Sequence, residues 1–124
     1  MALYWTIDSR HQLVVVTAEG DVTRADADDY LDAIEGGGAV GYRKLYDGRA
    51  GHFVMTHDEM MAVAIRFRSY HHRPVGALAI VLPPDNAEPV ARVLGILASA
   101  ERPLKLFTSM VPAQRWIDSL VSAQ

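Results

Sequence analysis

The chain has 124 residues, half of them hydrophobic, 22% charged and none of them cysteine. That length and balance describe one globular domain over residues 1–124 and exclude a disordered or collagen-like polymer, a disulfide scaffold, a thiol nucleophile and an iron–sulfur cluster. With 15 acidic against 12 basic side chains and a formal net charge of −3, there is no basic footprint for duplex binding, so nucleic acid is not an expected partner.

The amino terminus lacks the basic start, apolar run and small-residue cleavage site of a secretory signal. Instead Leu3, Trp5 and Ile7 alternate with Tyr4, Thr6 and Asp8, the period-two pattern of a strand covered on one face. A turn at Asp8-Ser9-Arg10-His11 leads to a second strand over Gln12 to Ala18, with the β-branched run Val14-Val15-Val16-Thr17. The two segments predict an antiparallel hairpin. After Glu19-Gly20-Asp21, Thr23 and Asp26 have the reciprocal spacing of a capped helix start, and Asp28 and Asp29 add negative charge near the positive end of the helix dipole. Ala27, Tyr30, Leu31 and Ile34 then mark an amphipathic helix that stops at Gly36-Gly37-Gly38.

A short strand around Arg43 to Tyr46 is expected next, followed by a polar loop from Asp47 to His52. Thr56 and Glu59 have capping-box spacing, and Met60, Val63, Ala64 and Phe67 supply the buried stripe of the helix they open. Arg66, Arg68, His71, His72 and Arg73 collect toward its negative end, and Pro74 closes it. Val75 to Leu82 is apolar at every position, as in a central parallel strand buried on both faces. It is also the longest apolar run and is far short of the roughly 20 residues that span a bilayer. Pro83-Pro84-Asp85-Asn86 breaks it. A helix from Asp85 and Glu88 with the stripe Val90, Val93, Leu94 and Leu97 is expected to follow, then a strand at Leu104 to Phe107. A cap at Thr108 or Ser109 opens a last helix striped by Ala113, Trp116, Ile117 and Leu120. The order is β-β-α-β-α-β-α-β-α, an α/β fold in which an N-terminal hairpin precedes alternating units in a mostly parallel sheet.

In this order of elements, the Gly20-Asp21-Val22-Thr23 approach to the first helix, Lys44-Leu45-Tyr46-Asp47, and Ala113-Gln114-Arg115-Trp116-Ile117 resemble the SpoIIAA-like STAS proteins. Those include anti-sigma-factor antagonists and stand-alone bacterial domains of undefined role. The resemblance covers nearly the whole chain and rests on the order of elements more than on any one motif. It implies a protein partner, and through the related fold of the CRAL-TRIO lipid carriers it implies a small apolar ligand as the alternative. The family's phosphorylated serine lies in an Asp-Ser-Ser-Gly motif at the start of the second helix. Here that motif falls on Met55-Thr56-His57-Asp58, where only Thr56 can accept phosphate, so the switch is degenerate and Thr56 reads first as a helix cap.

Ligands of open parallel sheets meet the carboxyl ends of the strands. That edge is expected to carry Asp47, Arg49, His52, Thr56, His57, Pro84, Asp85 and Ser109. Asp47, His52 and His57 have the chemistry of an acid–base or metal constellation, but their spacing matches no metal motif. No Gly-x-Ser-x-Gly elbow and no glycine-rich phosphate loop occurs. The expectation is therefore a non-catalytic, cytoplasmic regulatory module without metal, cofactor or membrane insertion. Met61 and Ile65 lie off the buried stripe of their helix, so a neighbouring helix or a second copy of the chain is expected to cover them.

Overall fold

The computed structural model describes residues 2–72, 76–83 and 104–120. Strands β1 (Leu3–Asp8) and β2 (Leu13–Val22) are followed by helix α1 (Arg24–Gly36), strand β3 (Arg43–Phe53), helix α2 (His57–Arg68) and a 3₁₀ turn at Ser69–His72. Strands β4 (Leu78–Val81) and β5 (Leu104–Phe107) and helix α3 (Met110–Asp118) complete the described elements. The expected helix from Asp85 to Leu97 and the helix stop at Pro74 lie outside the described residues.

The five strands form one sheet in the order β1-β2-β3-β4-β5. β1 pairs antiparallel with β2, and every later pairing is parallel. At the hairpin turn the Asp8 carboxylate accepts the main-chain N–H groups of Arg10 and His11, both at 3.1 Å, and lies 2.7 Å from His11 Nδ1. Side chains alternate across the pleat, and the two faces bury separate cores. On one face Leu3, Val14, Val16 and Ala18 meet Tyr30, Leu31 and Ile34 of α1. On the other, Leu45, Ala79 and Val81 meet Ala113 and Ile117 of α3.

The capping box at Thr23 and Asp26 forms as expected, with the Asp26 N–H donating to Thr23 Oγ1 at 3.3 Å and the Thr23 N–H to Asp26 Oδ2 at 3.0 Å. Two expectations are corrected. β2 does not break at Glu19-Gly20-Asp21 but runs on to Val22, with Gly20 at φ +75, a conformation glycine adopts without Cβ strain. The polar stretch from Asp47 to His52 is not a loop but the second half of β3, because β2 supplies a parallel partner beside it. The middle of the sheet belongs to β3; β4 lies between β3 and β5, with Ala79, Ile80 and Val81 all buried.

Two cations hold the amino-terminal end of β3. Lys44 is buried and its Nζ donates to the carbonyls of Val40 at 2.8 Å and Tyr42 at 2.7 Å. Arg43 donates from Nη1 to the carbonyls of Ile117 and Leu120 at 2.9 and 3.0 Å, and from Nη2 to that of His11 at 2.7 Å. It thereby adds charged donors to one carbonyl in the last turn of α3 and one just beyond it, the first of which also accepts the Leu120 N–H at 3.3 Å.

Candidate functional site: the overhang of β2 and β3

β2 and β3 outrun their neighbours at the carboxyl end of the sheet. The ladder with β1 reaches Ala18 of β2, and the ladder with β4 ends at Asp47 of β3. Beyond that, Glu19, Gly20, Asp21 and Val22 pair with Ala50, Gly51, His52 and Phe53 as a two-stranded parallel overhang. The register shifts where the overhang begins: between the Thr17–Asp47 and Glu19–Ala50 pairs, one residue of β2, Ala18, stands opposite two of β3, Gly48 and Arg49. Such a bulge bends a strand and ends its pairing on one side.

Asp47 builds the bulge. Its Oδ1 accepts the main-chain N–H of Arg49 at 3.2 Å and Arg49 Nε at 2.9 Å, while Oδ2 accepts Nη2 at 2.9 Å. The side chain is only 16% exposed, and the Arg49 guanidinium holds its carboxyl below the ordinary carboxylate range against the opposing effect of burial. A carboxylate so occupied is a poor general base. His52 lies five residues along the same strand, about 16 Å away at the rise of extended chain, so Asp47 and His52 do not meet as an acid–base pair. His57 is exposed as the first residue of α2. Among the described residues no group of three or more His, Asp or Glu side chains is placed to hold a metal ion.

Thr56 and Glu59 form the predicted capping box: the Glu59 N–H donates to Thr56 Oγ1 at 3.1 Å and the Thr56 N–H to Glu59 Oε1 at 3.0 Å. Ser109 occupies the cap position of α3 without a side-chain hydrogen bond there and sits beyond β5, two strands away from β3. Pro84 and Asp85 lie outside the described residues, as do the side chains of His71 and His72.

Beside Glu19, Asp21 and His52, the overhang carries aromatic side chains and glycine. The Tyr46 and Phe53 rings stack with centroids 6.2 Å apart and planes within 10°. Burial, reinforced by the Asp47 charge, raises the Tyr46 hydroxyl above its ordinary pKa, so it stays neutral. The stack lies against glycine: a Cβ on Gly48 would stand 2.8 Å from Tyr46 Cε1, and one on Gly51 would stand 2.6 Å from Ala18 Cβ. Phe53 and Val54 are exposed, and on α2 Ile65 is 65% exposed while Met61 is half-buried.

α2 is tied back to α1 by charge. Arg66 reaches Asp28 Oδ1 at 3.4 Å, Asp32 Oδ1 at 2.7 Å and Glu35 Oε2 at 3.4 Å, and the Tyr70 hydroxyl donates to Glu35. Burial works against the Arg66 charge, but Asp32, Tyr70 and Glu35 outweigh it and raise its pKa. Arg66, expected to complement the dipole of its own helix, thus also pairs with carboxylates of α1, Asp28 among them. Asp28, Asp32 and Glu35 stand at i, i+4 and i+7, an acidic stripe that was the available signal for a cation on the next helix. Sequence reasoning also missed Arg43, which no local pattern marks, and the exposed pair Phe53-Val54.

The order of strands, the single antiparallel edge and the helices on both faces decide the architecture. The fold is SpoIIAA-like. The structure is similar to a solved structure from Shewanella loihica PV-4, an uncharacterized protein from the DUF3478 family with a SpoIIAA-like fold. The two share 16% sequence identity over 94% of each chain, with a TM-score of 0.67. No protein-family model matches the chain, and no curated protein matches it either. Among the described residues no helix of this SpoIIAA-like fold is long and apolar enough to cross a membrane.

Proposed function

We propose that the protein is a non-catalytic regulatory module that acts by binding another protein at the carboxyl end of β2 and β3. One observation carries this reading. Asp47 and Thr56 are spent on local structure, on Arg49 and Glu59 respectively, while Phe53, Val54 and Ile65 face solvent. Exposed aromatic and aliphatic side chains beside a polar rim are the composition of a contact surface.

In this reading Thr56 is a structural cap, not a switch. A phosphate on its hydroxyl would add negative charge beside Glu59 and Asp58 and displace the acceptor of the Glu59 N–H, costs that offset the attraction of a helix start for anions. The test is cross-linking of the tagged full chain in its source cell, followed by mass spectrometry, for the wild type and for a Val54→Ser, Ile65→Ser variant. A partner cross-linked to the wild type and lost from the folded variant supports the reading. Cross-links indifferent to the variant, or turnover that disappears on His52→Ala or His57→Ala, overturn it.

A further inference from the structure

In a parallel ladder each residue turns both main-chain groups toward one neighbour, and the side alternates along the strand. The Val54 N–H donates to the Val22 carbonyl at 2.9 Å, so Val54, His52 and Ala50 face β2. Gly51 and Phe53 consequently turn their N–H and C=O groups the other way, toward the line of β4. Earlier in β3 that side is filled, as where the Lys44 N–H donates to the Ala77 carbonyl at 2.8 Å. At the overhang the ladder with β4 has stopped, at Val81 opposite Asp47, and no described residue pairs with Gly51 or Phe53 on that side.

Exposed strand edges are ordinarily blunted by lysine, proline or covering chain. Here the edge ends in exposed Phe53 and Val54, and the cations described nearby are paired, Arg49 with Asp47 and Arg24 with Asp28. The charges left on the overhang and the first turn of α2 are Glu19, Asp21 and Asp58, all acidic. The geometry points to the outer edge of β3 at Gly51 and Phe53 as a strand-addition site. Its occupant is an extended, basic segment of a partner protein, which continues the line of β4 and sets an apolar side chain beside Phe53. Main-chain hydrogen bonds supply binding in this mode, and alternate side chains supply selectivity. A second copy of the chain fits less well, because pairing two such edges brings two acidic overhangs together.

This inference rests on the protein-binding reading above, and the experiment separates the two. Peptides are selected from a displayed random library against the full chain, and their affinity is measured for the wild type, Phe53→Ala and Phe53→Pro. Both variants lose the ring, but only proline removes the outward N–H, which β2 does not use. We expect selected peptides to carry Lys or Arg around an apolar residue and to weaken with salt. Phe53→Pro is expected to bind about tenfold more weakly than Phe53→Ala. In the wild-type complex the amide exchange of Gly51 and Phe53 slows by about tenfold or more while that of β1 is unchanged; this measurement decides alone if Phe53→Pro does not fold. Equal binding by the two variants, protection confined to other residues, a self-associated chain protecting the same amides, or a library without a saturable binder each overturns strand addition. If a cellular partner is lost from the Val54→Ser, Ile65→Ser variant but kept by Phe53→Pro, strand addition fails and the protein-binding reading stands.

Discussion

The guanidinium of Arg43, at the start of β3, caps the end of α3 by donating to the Ile117 carbonyl at 2.9 Å across 74 residues of sequence. The same side chain holds the Leu120 carbonyl and, at the hairpin turn, that of His11. One side chain thus ties the first and last segments of the described chain to the middle strand.

Arg43→Met is expected to destabilise the fold by about 2–4 kcal/mol, because it removes three charge-assisted hydrogen bonds to main-chain carbonyls, two of them part-buried. Arg43→Lys recovers only part, since an ammonium cannot reach carbonyls on two sides at once. Denaturant unfolding of the three proteins measures this; a loss below about 1 kcal/mol for Arg43→Met contradicts the capping role.

Arg66 is the contrasting case. It meets three carboxylates, but these are 39% to 68% exposed, and such pairs are screened by water and salt. Arg66→Gln should cost about 1 kcal/mol or less at low salt, and the difference from wild type should shrink when salt is raised. A salt-independent loss as large as that of Arg43→Met would show that its partners are not solvent-screened.

Gly51 tests packing at the overhang. Its missing Cβ would stand 2.6 Å from Ala18 Cβ, so Gly51→Ala is expected to cost about 1–3 kcal/mol by overpacking. Adding Ala18→Gly removes the clash, and a double-mutant cycle should return a favourable coupling of about 1 kcal/mol or more. Simple additivity would mean the strands separate freely there.

Thr56→Ala should cost about 1 kcal/mol through loss of the cap, whereas Thr56→Ser should be close to neutral. Helix content and thermal unfolding report both.

Acid sensitivity follows from lowered carboxyl pKa values at Asp47, Asp8 and Glu35, caused first by hydrogen bonds from Arg49, His11 and Tyr70 respectively. A carboxylate whose pKa is lower in the folded state than in the unfolded one contributes stability above its unfolded value and loses it as pH falls through the folded value. The unfolding midpoint should therefore fall as pH drops from neutral through and below the ordinary carboxylate range. Asp47→Asn should be less stable at neutral pH and lose less on acidification. A parallel displacement of the two pH curves would remove Asp47 from the linkage.

Local pattern determined much of this protein. The alternation of Leu3, Trp5 and Ile7, the stripe of Tyr30, Leu31 and Ile34, and the boxes at Thr23 and Thr56 were legible because a strand face or helix cap is set by residues within a few positions of one another. The SpoIIAA-like order of elements follows from them. Tertiary structure alone decided the candidate site. Whether Asp47 to His52 is loop or strand depends on β2 lying alongside, and whether Asp47 is a base or a bulge clamp depends on where that pairing shifts. Among the described residues Gly51 and Phe53 have no partner on their outer side, because the ladder with β4 ends at Asp47. These are relations between segments far apart in sequence, and strand pairing leaves no local periodicity by which one chain segment announces where its neighbour stops.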